Sequence, residues 1–380
     1  MNLNHKSGIA HDYGTPVLAL CGFSGSGKTT LLEAVIPKLV DRGLRVAVVK
    51  HDAHGFIVDK EGKDSDRLFR AGATVALRGP AEQFVRRGPA AALTLQATLV
   101  DLARDHDLVL VEGHKETPLP KVWVGNDTFD SPPEHVTDVQ LNLPWNSDRV
   151  SALLDYIDRW LVEAWKRRSL FAGLLVGGKS KRMGWPKQTL LFGSRTLGEI
   201  AARALGDAIS ADNCEHSTHD PKVLPGNLFM LGGGAVSAAL DKQRRLLDPP
   251  DLAGPLAALI TAHRWAPTAA WIVSACDHPW IKAQDLTELI QERSPGRWAI
   301  VSRQRDGHPS PTVALYEPQA LYLLERSLVE RGIESTRLAQ LFDHSHTWIR
   351  PEGSFGSENI NTPLEYSSAL REQLQNQEKQ

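Results

Sequence analysis

Two turns rich in glycine, each preceded by an apolar run, carry residues suited to binding phosphates. The first is Gly22-Phe23-Ser24-Gly25-Ser26-Gly27-Lys28-Thr29-Thr30, directly after the apolar run 17–21. It has the phosphate-loop pattern GxxxxGK[ST] between a predicted strand and a predicted helix. Its backbone N–H groups can wrap phosphates, Lys28 can reach the β- and γ-phosphates, and the Thr29 hydroxyl can bind Mg²⁺. The residues expected to bind a nucleotide here are Gly22, Ser24, Gly25, Ser26, Gly27, Lys28, Thr29 and Thr30.

The second turn follows the apolar run 170–176 and has a different pattern. Its sequence is Leu175-Val176-Gly177-Gly178-Lys179-Ser180-Lys181-Arg182-Met183-Gly184-Trp185-Pro186-Lys187. Two adjacent glycines allow close approach of the backbone to a ligand, and four cations nearby suit a triphosphate. The stretch lacks GK[ST], so it is not a second phosphate loop. Taken alone, it could also be a basic surface loop.

Acidic residues follow predicted strands in both halves. Glu112 ends the run 107–112, and Asp277 follows the run 271–275. A carboxylate at the carboxyl end of a strand can hold Mg²⁺ that is bound to phosphates. We therefore predict Thr29 and Glu112 as metal residues of one site and Asp277 as that of the other. A turn-capping role is the alternative for Asp277, and His51 is either a catalytic residue or a solvated loop residue.

The elements that position these residues alternate between strands and helices, which predicts an α/β fold. In the first half, strands are expected at 17–21, 44–50, 74–77, 107–112 and 121–124, with helices after the first turn, before Gly72 and over 148–165. In the second half, strands are expected at 170–176, 228–231 and 271–275. Helices are expected at 196–205, 236–240, after Gly254-Pro255 and at 335–342, and 210–226 is expected to be an exposed loop.

Length and composition bound the class of protein. A chain of 380 residues predicts two domains, and the basic run Lys166-Arg167-Arg168 marks the boundary between 1–168 and 169–380. The net charge of -2 is balanced between the halves, which argues against a basic nucleic-acid-binding arm. The three cysteines are far apart, which disfavours a disulfide framework or zinc site and fits a reducing cytoplasm. We expect neither a signal peptide nor a membrane span.

The first half resembles the MobB family, the GTP-binding proteins of molybdenum cofactor biosynthesis. The resemblance covers nearly all of residues 15–165 and rests on GFSGSGKTTLL, VVKHDAHGFIVDKEGKDS, LFRAGA and DLVLVEGHK. It implies a P-loop NTPase domain of three α/β/α layers that binds GTP and has weak GTPase activity. No NKxD-type motif is visible, so the preference for guanine rests on the resemblance alone.

The second half resembles MobA, the molybdenum cofactor guanylyltransferase, over essentially all of residues 169–370. The matching segments are LVGGKSKRMGWPK, LLDPPDLAGPLAAL, SACDHPWI, DGHPSPTVALY and ENINTP. The resemblance implies a Rossmann-like nucleotidyltransferase domain of three α/β/α layers. The family usually has an Asn after its second strand, near the base or ribose, but Gly232-Gly233-Gly234 occupies that place here. No residue is therefore assigned to reading the base.

Site residues follow from this resemblance position by position. Lys187 and Asp277 would be catalytic, with Lys187 on the triphosphate and Asp277 on Mg²⁺. The expected nucleotide-binding residues are Leu175, Val176, Gly177, Gly178, Arg182, Lys187, Asp248 and Asp277, with Asp248 near the guanosine. His308, Asn359 and Asn361 are expected on the molybdopterin side.

The resulting hypothesis is a bifunctional protein that transfers GMP from Mg·GTP to molybdenum-loaded molybdopterin and has an auxiliary GTP-binding domain. The alternatives are a cytidylyltransferase, a sugar-phosphate nucleotidyltransferase, or a non-catalytic, GTP-switched cofactor chaperone. Expected partners are GTP and molybdopterin, with molybdenum insertion proteins and apo-molybdoenzymes or their chaperones as further candidates. A homodimer is one candidate assembly. Nucleic acid and membrane are not expected partners.

Overall fold

The structure is a computed structural model that describes residues 13–52, 55–88, 92–177, 183–212, 224–304, 307–333, 336–341, 344–351 and 359–378. The chain divides into two compact units. The first contains Val17–Arg42 and Val46–Tyr156, and the second contains residues from Ile157 onward with the short strips Gly14–Pro16 and Gly43–Arg45. In the part of the chain that is described, no helix is long and apolar enough to cross a membrane.

The first unit alternates strands and helices along the chain. Its strands are β1 (Val17–Cys21), β2 (Val46–Lys50), β3 (Val75–Arg78), β4 (Gln83–Arg86), β5 (Leu108–Glu112), β6 (Lys121–Val124) and β7 (Val139–Leu143). Its helices are α1 (Lys28–Asp41), α2 (Asp64–Arg70), α3 (Leu95–Ala103) and the start of α4 (Arg149–Lys166).

The main sheet of the first unit is parallel, in the order β2-β5-β1-β6-β7, and β3 pairs with β4 in a separate hairpin. Strands β1 and β5 are buried along their whole length, as expected for apolar runs inside a parallel sheet covered on both faces. Leu20 on β1 and Lys50 on β2 both lie opposite Glu112 on β5. The register therefore brings the carboxyl ends of three strands to one edge.

The second unit has a larger set of elements. Its strands are β8 (Leu170–Leu175), β9 (Leu191–Phe192), β10 (Arg195–Thr196), β11 (Leu228–Leu231), β12 (Arg244–Leu246), β13 (Ala270–Ala275), β14 (Ala299–Arg303), β15 (Pro309–Tyr316) and β16 (Thr347–Ile349). Its helices, after the end of α4, are α5 (Leu197–Asp212), α6 (Gly254–Trp265), α7 (Ala283–Gln291), α8 (Pro318–Arg331) and α9 (Pro363–Glu378).

The main sheet of the second unit has the order β12-β11-β8-β13-β15-β14-β16. Strands β12, β11, β8 and β13 are parallel, and Leu175 lies opposite both Leu231 and Ala275. Strand β15 is antiparallel to β13, so it begins at the edge where β13 ends. The loops after β8, β11, β12 and β13 therefore open together with the loop that enters β15.

The core of the second unit has two apolar layers, one on each face of this sheet. Residues of α5 and α7 pack with one set of strand side chains, and residues of α6 and α8 pack with the other. This is the predicted three-layer arrangement, and the α/β fold class is confirmed for both units.

Two helix predictions in the second unit are wrong. Residues 236–240 contain no helix, and only 238–240 form a turn, because so short a stretch does not offset the cost of starting a helix. Within 335–342, the described residues contain only a short 3-10 helix at Leu338–Leu341, and residues 335 and 342 lie outside the described part. Helix α5 is longer than predicted and runs to Asp212; most of the predicted loop after it, residues 213–223, lies outside the described part.

Candidate nucleotide sites

The first candidate site is the turn between β1 and α1. Gly25 and Gly27 have φ values of 75° and 81°, a region of the backbone that favours glycine. Helix α1 begins directly after this turn, at Lys28. Its first N–H groups and its dipole therefore point to the place where the sequence predicts phosphates.

The Lys28 ammonium lies over the turn. Its Nζ donates to Phe23 O at 2.8 Å, to Gly22 O at 3.2 Å and to Ser26 Oγ at 3.4 Å. Burial lowers the pKa of Lys28, and the nearby Glu112 carboxylate acts in the opposite direction. A bound phosphate would supply a closer counter-charge for this partly buried cation.

Thr29 and Glu112, the predicted metal residues of this site, are in direct contact. Thr29 Oγ1 donates to Glu112 Oε1 at 2.8 Å, and Lys50 Nζ is 3.4 Å from the hydroxyl and 3.6 Å from the carboxylate oxygen. The described residues contain no group of three or more His, Cys, Asp or Glu that could hold a metal. A hydroxyl and one carboxylate fit Mg²⁺, which commonly takes its other ligands from nucleotide phosphates and water.

The sequence analysis missed Arg149, whose side chain connects three backbone segments around this site. Its guanidinium donates to three backbone carbonyls: Nη1 to Ser26 O at 3.0 Å, Nη2 to Gly125 O at 2.6 Å and Nε to Pro144 O at 2.9 Å. Arg149 is the first residue of α4 and stands in no recognisable motif. Only the folded structure brings it to the phosphate loop.

Two histidines lie at the same edge of the sheet. His51 follows β2 and His114 follows β5, and their ring centroids are 5.0 Å apart. His114 has a φ of 55°, and burial together with His51 lowers its pKa. The structure therefore brings His51 against His114, at the sheet edge where β5 ends with Glu112.

The second candidate site begins at the end of β8. Val176 N donates to Leu231 O at 2.8 Å, and Val176 O accepts from Gly234 N at 2.7 Å, so the turns after β8 and β11 are joined. A side chain at position 234 would collide with the backbone of the neighbouring turn, because its Cβ would lie 2.5 Å from Val176 O. The sequence-predicted residues Gly178 and Arg182 lie outside the described residues.

Asp248 lies beside this pair of turns. Its Oδ2 is 3.7 Å from the position a Cβ would take on Gly177 and 3.5 Å from that on Gly232. Its Oδ1 is buried and makes no hydrogen bond within the described part of the chain. Burial raises the pKa of this carboxyl group. Such an oxygen is suited to accept a hydrogen bond from a ligand.

Lys187 and Asp277 are also in direct contact. Lys187 Nζ donates to Asp277 Oδ2 at 3.1 Å and to Asn361 Oδ1 at 2.8 Å. Lys187 opens a short 3-10 helix (Lys187–Thr189), and Asp277 follows β13. Asp277 thus meets a cation at the strand edge.

The remaining predicted residues lie near this edge. Asn359 precedes Ile360, whose N–H donates to Asp277 O at 2.8 Å. His308 immediately precedes β15, the strand that begins at the edge where β13 ends. The sequence analysis missed the direct contact between Asn361 and Lys187, because no sequence signal joins residues 174 positions apart.

The fold and these candidate sites define a chain of two α/β units, one with a phosphate loop after β1 and one with a glycine turn after β8, an interior strand of a mixed sheet. Comparison with known sequences agrees with this class. Residues 17–143 match the profile of MobB, molybdopterin guanine dinucleotide synthesis protein B, and residues 172–346 match the MobA-like NTP transferase domain. The chain belongs to the MobB family through its first unit and carries a MobA-like NTP transferase domain in its second.

Three relatives illustrate this. The Haemophilus influenzae molybdopterin-guanine dinucleotide biosynthesis adapter protein is 38% identical over 160 residues, 38% of this chain and 89% of that protein. A Synechocystis molybdenum cofactor biosynthesis bifunctional protein is 26% identical over 201 residues, 52% of each chain. A probable molybdenum cofactor guanylyltransferase of Bacillus licheniformis is 27% identical over 161 residues, 42% of this chain and 75% of that protein. Both predicted resemblances are confirmed, and the second unit is a nucleotidyltransferase domain.

Proposed function

We propose that the second unit transfers GMP from GTP to the terminal phosphate of molybdopterin that carries molybdenum. The products are molybdopterin guanine dinucleotide and pyrophosphate. The observation that carries this proposal is the contact of 3.1 Å between Lys187 and Asp277, at the sheet edge where the turn after β8 opens. The names of the guanylyltransferase relatives support the choice of donor and acceptor.

In this reaction an oxygen of the acceptor phosphate attacks the α-phosphorus of GTP. The new P–O bond forms as the bond between the α-phosphorus and the bridging oxygen breaks, and pyrophosphate leaves with that electron pair. The acceptor is already anionic, so the site needs no strong general base. It must neutralise charge and hold the three groups in line, which Lys187 and the backbone N–H groups of the glycine turn can do.

The donor set at Asp277 fits Mg²⁺. Its carboxylate is partly exposed, with 19% of the side chain accessible, and its present partner is a lysine that also suits phosphates. Asp277 would hold the ion together with the triphosphate oxygens. When bound, the ion would neutralise charge on the triphosphate and on the leaving pyrophosphate.

Asp248 is the group we assign to the nucleoside of the donor. Its orphaned, buried Oδ1 can accept an N–H from guanine or an O–H from ribose. Gly232-Gly233-Gly234 stands where the family usually has a side chain; the N–H groups of Gly232 and Gly234 are bonded to Leu246 O and Val176 O, so the backbone N–H of Gly233 is the one we propose for a ligand. Comparing GTP, CTP and ATP as donors tests the choice of base: pyrophosphate release with CTP or ATP at the GTP rate would contradict a guanylyltransferase.

The first unit is proposed to bind GTP, to hydrolyse it slowly and to assist cofactor handling. The contacts of Lys28 over the loop and of Thr29 with Glu112 support a Mg·GTP site. We also propose a cytoplasmic location, with molybdenum insertion proteins and apo-molybdoenzymes or their chaperones as partners.

The main test measures pyrophosphate released from GTP with and without molybdenum-loaded molybdopterin. Asp277→Asn keeps the shape of the side chain but removes its charge, so we expect acceptor-dependent release to fall at least about 100-fold, as for loss of one group that stabilises the transition state. Wild-type rates from this variant would refute the role of Asp277. Lys28→Ala is the matched change in the first unit and should leave transfer intact; loss of transfer there would show that the first unit is not auxiliary.

A binding protein without catalysis is the rival from another class. This alternative predicts that the purified wild-type chain binds GTP and molybdopterin but releases no pyrophosphate with any nucleotide donor. That single result would overturn the proposed reaction.

A further inference from the structure

The C-terminal segment that begins at Asn359 supplies a contact to the candidate catalytic lysine. Asn361 Oδ1 accepts from Lys187 Nζ at 2.8 Å, shorter than the 3.1 Å between the same ammonium and Asp277 Oδ2. An amide carbonyl and a carboxylate therefore share the lysine. The resemblance to known families places Asn361 on the molybdopterin side, but the structure places its side chain against Lys187.

Two contacts fix the direction of the ammonium more tightly than one. A lysine has three N–H donors on a flexible chain. Asn361 and Asp277 take two of them, and the third has no partner within the described residues. Without Asn361, a second N–H becomes free, but the ammonium can pivot around Asp277 and directs an N–H toward the triphosphate in a smaller share of its conformations.

Asn361 is itself held firmly by its neighbours. Glu365 Oε2 accepts from the backbone N–H of Thr362 at 3.0 Å, and Thr362 Oγ1 accepts from Glu365 N at 3.3 Å, which forms a capping box at the start of α9. The same carboxylate accepts from the N–H of Asn361, and Ile360 N donates to Asp277 O at 2.8 Å. The backbone of Asn361 is thus fixed on both sides.

We propose that Asn361 is a positioning residue for nucleotidyl transfer, which acts through Lys187 by holding its ammonium toward the triphosphate. This inference rests on the proposed function of the second unit. It makes the segment from Asn359 to Glu365 part of the donor side of the site. A contact of Asn361 with molybdopterin is the competing interpretation.

A double-mutant cycle separates the two interpretations. It uses the full chain with Lys28→Ala, so that the phosphate loop does not contribute to GTP binding, and the variants Asn361→Ala, Lys187→Met and their combination. Because a hydrogen bond to a charged group is lost, Asn361→Ala should lower kcat for pyrophosphate release about 10- to 100-fold. The KM for molybdopterin should stay within about twofold if Asn361 acts on the lysine alone.

The affinity for Mg·GTP gives a second readout that needs no turnover. We expect Asn361→Ala to weaken GTP binding in the Lys28→Ala background and to have no further effect when Lys187→Met is also present. If the losses of GTP affinity in Asn361→Ala and Lys187→Met multiply in the combined variant, the two residues act independently and the inference is overturned. A raised KM for molybdopterin with unchanged kcat would also overturn it, in favour of the acceptor-side role.

Two further variants control for damage to the fold. Glu365→Ala removes the cap that fixes Asn361 and should show the same signature as Asn361→Ala. Glu372→Ala changes an exposed residue on the same helix and should leave kcat, KM and thermal stability unchanged. If the wild-type chain releases no pyrophosphate, the proposed function fails. If it does, but the free-energy effects of Asn361→Ala and Lys187→Met are additive, only the role of Asn361 fails.

Discussion

The second unit contains a buried acidic residue, Glu317, whose removal gives a quantitative test of what stabilises the unit. Its side chain is 0% exposed. Glu317 Oε2 accepts from Arg168 Nη2 at 2.9 Å, and Oε1 accepts from Arg293 Nε at 2.8 Å and from Trp165 Nε1 at 3.2 Å. The carboxylate therefore joins the end of α4, the residues after α7 and the start of α8.

Glu317→Gln keeps the shape but leaves two buried guanidinium groups without their counter-charge. Breaking a buried pair in this way costs about 3–5 kcal/mol of unfolding free energy. The nucleotidyltransferase site should be little affected. Tyr316 lies opposite Trp271 at the start of β13, and Asp277 comes six residues later, which is about 20 Å along an extended strand.

The sign of the pH dependence follows from the pKa of Glu317. Burial raises this pKa, but Arg293 and Arg168 outweigh burial and hold it below its ordinary value. The charged form therefore stabilises the fold at pH values above the unfolded pKa, about 4.3. This stability is lost as the pH falls through the lower, folded pKa, and Glu317→Gln should not show that loss.

Urea denaturation followed by tryptophan fluorescence measures the effect, since Trp165 lies in the cluster. Glu330→Gln is the matched control, because Glu330 pairs with Arg326 at 3.3 Å on the surface and should change stability by less than about 0.5 kcal/mol. Pyrophosphate release should be measured well below the unfolding transition. A stability loss for Glu317→Gln no larger than that of the control, or a fall in kcat/KM of the folded protein, would refute the reasoning.

Three further predictions concern the sites. Arg149→Met should weaken GTP binding to the first unit about 10-fold or more, because the loop loses charge-assisted contacts, as measured by titration of a Lys187→Met protein. Gly234→Ala should lower both thermal stability and transfer, since its Cβ would lie 2.5 Å from the backbone oxygen of Val176, which the sheet holds in place. A wild-type melting temperature would contradict this. Burial raises the pKa of Asp248, so the charged carboxylate destabilises the fold at pH values above that pKa. Asp248→Asn removes this charge and should therefore raise the melting temperature at pH 7. The same variant should weaken GTP binding.

Much of the fold could be predicted, because buried parallel strands are visible as apolar runs. The predicted strands at 17–21 and 228–231 coincide with β1 and β11, and the predicted strand at 107–112 differs from β5 by one residue. Short or amphipathic elements were missed, including β7, β12 and α9. Strand β12 has the sequence Arg-Arg-Leu and is stabilised by pairing with β11 rather than by its own hydrophobicity.

Site residues could be predicted where chemistry and local context coincide along the chain. Lys28 and Thr29 stand in a motif, and Glu112 and Asp277 follow buried strands, so their types and places could be inferred together. Arg149 and the contact of Asn361 with Lys187 could not be inferred, because they depend on which distant loops meet at the sheet edge. The sequence shows which strand ends carry candidate site residues, but not which side chains come into contact there.

Both candidate sites contain a glycine turn, a lysine and a carboxylate, yet they arrange these groups differently. In the first, Lys28 bonds the loop carbonyls, and Glu112 contacts the Thr29 hydroxyl instead of the lysine. In the second, Lys187 itself pairs with Asp277. In the proposed roles, Lys28 over the loop contacts the β- and γ-phosphates. Lys187, paired with the acid proposed to bind Mg²⁺, lies where pyrophosphate separates from the α-phosphorus. Lys28→Ala should therefore reduce phosphate release from GTP, and Lys187→Met should reduce pyrophosphate release; the reverse pattern would show that the roles are exchanged.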